Sequence, residues 1–79
     1  MRRKERKLVV TFASTADAMA VEAAAEGGGI LGRIIPVPSE VSAGCGLAWC
    51  VGADCREQVL GALEARELAY EGIFEVMMY

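Results

Sequence analysis

Changes of hydrophobic period along the chain predict an α+β fold with the order β-α-β-β-α-β. Four short segments carry apolar alternation or β-branched runs, two segments between them carry helix start signals, and Gly or Pro punctuates the joins. That order is the split β-α-β, or ferredoxin-like, pattern. Its usual product is a four-stranded antiparallel sheet with both helices on one face.

The first strand is KLVVTFAS, Lys7 to Ser14, short and rich in β-branched and aromatic residues. The period then changes. Ser14, followed three residues later by Asp17, resembles a capping box. Ala16, Met19, Ala20 and Ala23 recur at helical spacing, and Gly27, Gly28 and Gly29 stop the helix. A face made mostly of alanine lets this helix lie close against a sheet.

GRIIPVP, Gly32 to Pro38, reads as the second strand, and Pro36, lacking a backbone donor, places it at an edge or at a strand end. Pro38 to Gly46 is a loop. LAWCVGA, Leu47 to Ala53, is the third strand, with Leu47, Trp49 and Val51 on one face and Ala48 and Cys50 on the other. Asp54 and Glu57 form a second capping box, opening a helix through Val59, Leu60 and Leu63 to about Leu68. AYEGIFEVMMY closes the chain as a fourth strand, setting Tyr70, Gly72, Phe74, Val76 and Met78 against Glu71, Ile73, Glu75, Met77 and Tyr79.

The chain has 79 residues, which makes one domain. A domain this small buries roughly 60–65% of its unfolded surface, so its stability is marginal without a partner or a staple. Residues 1–7, MRRKERK, form a basic N-terminal tail holding five of the eight basic side chains, and residues 8–79 form the single ferredoxin-like domain. That domain keeps three basic and ten acidic residues, a net charge of minus seven. No basic stripe for nucleic acid remains on it, so no nucleic-acid partner is expected. The tail reads either as a solvated lead-in or as a contact for an anionic surface or partner.

The apolar LVVTFA after these charges is too short for a secretory signal and meets polar Ser14, Thr15 and Asp17 at once. No apolar stretch approaches the ~18 residues of a membrane span. The expectation is a cytoplasmic chain without a membrane partner. Its three cysteines are an odd number, and reduced thiols are the simpler assumption.

One face of the expected sheet is covered by helices and the other is open. The alternation around Trp49 and Cys50 leaves either an aromatic or a thiol on the open side. A partly apolar open face, with the small size of the chain, points to a homodimer or a partner protein.

The chain contains no histidine, which excludes Ser-His-Asp and Cys-His catalytic pairs. Cys45, Cys50 and Cys55 have a Cys-x4-Cys-x4-Cys spacing that fits neither zinc knuckles nor the usual iron–sulfur runs, so no metal is expected. The glycines of EGGGILGR follow a helix instead of preceding one, and lend no support to nucleotide binding or another cofactor.

Cys50, in mid-strand, reads as a small core residue. Cys55 falls in the first turn of the second helix, where the helix dipole favours a thiolate; Arg56 helps, and Asp54 and Glu57 oppose it. Cys45 stands between Gly44 and Gly46. Flanking glycines remove the Cβ atoms that would shield a sulfur, and they allow positive φ and an anion-binding nest of backbone amides. Ser39 and Ser42 lie within chain reach. On residue chemistry alone, Cys45 is either a presented reactive thiol or a filler at a tight turn.

Three blocks resemble a known family. They are Thr11-Phe12-Ala13-Ser14-Thr15, Ile35-Pro36-Val37-Pro38 and Ser42-Ala43-Gly44-Cys45-Gly46-Leu47-Ala48. The chain from Leu8 to Tyr79 is similar to the selenium/sulfur carrier-like domains. Their recurring features are a strand ending in TF.ST, a helix opening on small residues, IPVP, and S..CG.A. This sequence departs from them in carrying Cys50 within AWCV, and Cys55 beyond it.

The resemblance implies sulfur or selenium handling with Cys45 as the carrier. Cys45 would take the atom from a donor protein as a persulfide or selenosulfide and pass it to an acceptor by thiol exchange. Gly44 and Gly46 would give access, and Ser42 would hydrogen-bond the sulfur. No general base is visible, so the partner would supply the catalysis. The alternative is a non-catalytic ferredoxin-like binding or regulatory module in which Cys45 is structural. A redox pair of Cys45 and Cys50 is disfavoured, because an extended chain holds them roughly 15 Å apart and a disulfide needs less than about 7 Å between Cα atoms.

Overall fold

The computed structural model of the chain describes residues 3–39, 41 and 44–78. Its elements are β1 (Glu5–Thr11), α1 (Thr15–Glu26), β2 (Arg33–Pro36), β3 (Leu47–Gly52), a 3-10 turn (Ala53–Cys55), α2 (Arg56–Ala65) and β4 (Gly72–Met78). The strands form one sheet in the order β2-β3-β1-β4, with every neighbouring pair antiparallel. This is the ferredoxin-like arrangement.

β1 starts at Glu5, so Glu5 and Arg6, residues of the basic N-terminal run, belong to the sheet, opposite Met78 and Met77. It lies between β3 and β4 and sends side chains to both faces. Leu8 and Val10, with Phe12 beyond the strand, join Trp49, Val51, Ala18, Val21, Val59 and Leu63 in one buried cluster. Because residues of both helices share that cluster, both helices lie on the same face. Val9 points the other way and packs with Ala48, Val76 and Val41. Val41 comes from the β2–β3 loop, so the face without helices is partly covered by the loop itself.

Ser14 caps α1 as its position predicts, accepting the Asp17 amide at 3.3 Å, and Gly27 closes the helix. The buried face differs from the expected one. Ala16, Met19, Ala20 and Ala23 are exposed, while Ala18 and Val21 are buried and Ala24 and Ala25 pack against the core. Alanine surrounds most of this helix, so apolar periodicity carries no phase. Val21, its one β-branched apolar residue, marks the side that meets the sheet.

β2 is an edge strand ending at Pro36, as the missing donor requires. Its start is set by Gly32 at φ 112°. A Cβ there would lie 2.5 Å from Trp49 Nε1 and 2.6 Å from the Cys50 carbonyl oxygen. Next to it, buried Trp49 donates its indole N–H to Leu31 O at 2.7 Å. The tight approach of backbone to indole is what satisfies the one polar atom of the largest core side chain.

The capping box expected of Asp54 and Glu57 is not formed. The chain leaves β3 through the 3-10 turn, Cys55 becomes the N-cap of α2, and no side chain caps either start. The turn ties the Arg56 amide to Ala53 O and so takes over the role of a side-chain cap. α2 also ends earlier than Leu68. Glu67 adopts φ 54°. Its amide donates to Glu64 O at 3.1 Å, and the Leu68 amide donates to Leu63 O at 2.9 Å. This is a Schellman ending with glutamate where glycine is usual, and Leu68 turns back onto the core.

Two substitutions test these backbone arguments. Gly32→Ala is expected to destabilise the protein by about 2–4 kcal/mol through left-handed strain and overpacking against Trp49. That appears as a lower urea midpoint at unchanged slope. Glu67→Gly is expected to raise stability by about 0.5–1 kcal/mol in the same assay, by relieving a left-handed glutamate.

Candidate functional site

The loop between β2 and β3 spans residues 37–46 and crosses the end of the sheet. At its near end the Val37 amide donates to Gly46 O at 3.0 Å, closing the base of the loop. A turn follows, in which the Val41 amide donates to Pro38 O at 3.0 Å. Val41 is then buried against Val9, Ala48 and Val76 on the face without helices. The chain returns to the other side, where Cys45 packs against the helix-side core. The loop is therefore anchored on both faces by side chains of opposite ends.

Of the four residues the sequence singles out, Ser42 lies outside the described residues, as do Glu40 and Ala43. Gly44, Cys45 and Gly46 are described, and they form the exit of the loop into β3. Cys45 is half-buried, between two exposed glycines. Its thiol donates to Leu47 O at 3.3 Å, and its sulfur accepts the Leu47 amide at 3.4 Å. The side chain thus folds over the first residue of β3 while keeping part of its surface in contact with solvent.

The flanking glycines act differently from the expectation. Positive φ among the glycines occurs at Gly28 and Gly32, and neither Gly44 nor Gly46 takes it. An anion nest needs alternating hands of backbone, so residues 44–46 do not form one. Gly44 is small because it is close-packed: a Cβ there would lie 3.1 Å from Ala13 O. A Cβ at Gly46 would meet nothing within 4 Å, so Gly46 is not required by close packing.

Two residues at the loop escaped the sequence reading. Glu71 accepts the Gly44 amide on Oε1 at 3.0 Å. Strand alternation assigns Glu71 a face, but nothing in the sequence relates it to a position 27 residues earlier. The second is Val41, whose burial is the anchor of the loop. Ala13, which abuts Gly44, precedes the Ser14 cap of α1. The positive end of the α1 dipole therefore borders the loop.

The other thiols are elsewhere. Cys50 is 4% exposed and, alternating with Ala48, lies on the face opposite the one where Cys45 packs. The two sulfurs are separated by the sheet, so they do not form a redox pair. Cys55 is half-buried at the start of α2, its thiol 3.8 Å from Asp54 Oδ1. It sits by Gly52, at the end of β3 remote from Cys45. All three cysteines are free. Among the described residues, no three His, Cys, Asp or Glu side chains gather where they would hold a metal ion. None of the described helices is long and apolar enough to cross a membrane.

A family model described as "Putative Se/S carrier protein-like" matches residues 7–75. The chain belongs to this family. No curated protein and no solved structure matches the chain significantly. For this Se/S carrier-like chain, the match takes in most of β1, both helices, the whole loop around Cys45 and the first part of β4.

Native-state alkylation reads out the sorting of the thiols. Iodoacetamide is expected to label Cys45 and Cys55 in the folded protein and to spare Cys50 until the protein is unfolded, as resolved by peptide mass spectrometry. Labelling of native Cys50 at the rate of Cys45 would contradict the burial described above.

Proposed function

We propose that this protein carries sulfur or selenium on Cys45, as a persulfide or selenosulfide, between a donor and an acceptor protein. The observation that carries the reading is the placement of Cys45: a half-buried thiol at a loop exit, between two exposed glycines, in a chain of the Se/S carrier-like family. The rigid sheet end presents the loop, which is where binding residues tend to sit.

Loading needs a thiolate and a persulfide donor. Cys45 Sγ attacks the outer sulfur of the donor persulfide, a new S–S bond forms, and the donor's own S–S bond breaks with the electron pair leaving on the donor thiolate. Delivery reverses the role of Cys45: a nucleophile on the acceptor takes the outer sulfur, the S–S bond breaks, and Cys45 leaves as a thiolate. No net oxidant is consumed. The Cys45 proton goes to solvent or to a base of the donor protein. Donor and acceptor are therefore the partners of this chain, and a reducing compartment such as the cytoplasm keeps its thiols available.

A second reading follows from the bonds of Cys45 to Leu47. A thiol tied to its own loop on both its donor and acceptor sides stiffens the entry to β3, which suits a non-catalytic binding module. The two readings differ in one measurement. Incubation with a small-molecule persulfide, followed by removal of excess reagent, is expected to add the mass of one sulfur atom at Cys45. Cys45→Ser is expected to abolish that addition and leave the fold intact. A protein that takes no sulfur at Cys45, with the same thermal stability after Cys45→Ser, belongs to neither role of the thiol; a marked stability loss with no sulfur uptake supports the binding module.

A further inference from the structure

Gly44 is the residue immediately before the thiol, and it is held by two distant residues. Its amide donates to Glu71 Oε1 at 3.0 Å. The backbone of Ala13 also packs against it: a Gly44 Cβ would stand 3.1 Å from Ala13 O and 3.5 Å from Glu71 Oε2. Glu71 is itself fixed. Its own amide donates to Thr11 O at 2.7 Å. Thr11 is fully buried and donates its hydroxyl to Gly72 O at 3.4 Å. The carboxylate therefore projects from a firmly paired point, at the end of β4 nearest the loop, onto the residue that sets the direction of Cys45.

We propose that Glu71 is the positioning residue of the Cys45 loop: its carboxylate holds the Gly44 amide and so fixes the path by which a sulfur donor reaches Sγ. This deepens the carrier reading of Cys45 and rests on it. Glu71 acts through Gly44, with no contact to sulfur required. A carboxylate is a stronger acceptor for a backbone amide than a neutral oxygen. Because the bond is exposed to solvent, water replaces it readily when it is lost. The fold then survives while the loop loses its fixed orientation, and reaction rates suffer from small misplacements of the attacking group.

The carboxylate also brings negative charge to a site of thiolate chemistry, and the test must separate charge from hydrogen bonding. Glu71→Ala and Glu71→Gln both remove the charge, and only Gln keeps an acceptor oxygen at the same reach. The difference between the two variants therefore reports the hydrogen bond alone. Single-turnover uptake of sulfur from glutathione persulfide at Cys45 is expected to be about five- to tenfold faster in Glu71→Gln than in Glu71→Ala, the factor for one net hydrogen bond. Hydrogen exchange of the Gly44 amide, followed by NMR, is expected to quicken by a similar factor in Glu71→Ala and to stay near the wild-type rate in Glu71→Gln.

Equal uptake rates in the two variants, or Gly44 exchange unmoved by Glu71→Ala, would overturn the positioning role. Wild-type protein that takes no sulfur would overturn the carrier reading instead, and the Gly44 exchange rates would still decide whether Glu71 holds the loop. Thermal midpoints within about 2 °C across the three proteins exclude general unfolding as the cause, since 1 kcal/mol shifts a domain of this size by several degrees.

Discussion

Leu8, Val9, Val10, Thr11 and Phe12 are consecutive residues with no accessible surface. A chain in extended conformation sends neighbouring side chains to opposite faces, so such a run is buried only if both faces of its strand are covered and both edges are paired. That single constraint organises the molecule. β3 and β4 pair with β1 on either side, the helices cover Leu8 and Val10, and the other face must find a lid for Val9. At about 1.5–3 kcal/mol for each large apolar side chain removed from water, this strand outweighs any surface ion pair in a domain of marginal size. The pairs linking Glu75 to Arg6 and Arg56, at 3.6 and 3.5 Å and largely exposed, are minor by comparison.

The lid over Val9 explains the loop. A ferredoxin-like sheet leaves one face without helices, and here the β2–β3 connection spends Val41 on covering part of it. The same connection then returns to the helix side, where Cys45 packs. Covering the second face and presenting the thiol are thus two ends of one segment.

The sheet also sorts the thiols by chemistry. Cys50 takes the place of a small apolar residue beside Val9, and Cys55 sits where α2 begins. Neither shares a face and an end of the sheet with Cys45. This separation removes the resolving partner that a dithiol redox mechanism would use. The architecture itself is neutral on this point, since the same fold hosts many functions. The loop, and the family to which the chain belongs, carry the functional reading.

Much of this was legible in the residues. The order of elements, the Ser14 cap, the edge position of β2 from Pro36, and the faces of β3 and β4 all follow from strand alternation and local backbone chemistry, which operate within a few residues. The thiol between two glycines was equally visible. The phase of α1 was not, because alanine on every side leaves the choice of face to the sheet it meets. The start of α2 shifted because the chain leaves β3 through a 3-10 turn that ties the Arg56 amide to Ala53 O, which moves the N-cap from Asp54 to Cys55. Gly44 owes its smallness to Ala13, and its amide bond to Glu71, partners 31 and 27 residues away in sequence. Local spacing determines which elements form; which loop atom meets which distant carboxylate is decided only when β1 draws β3 and β4 to its two edges.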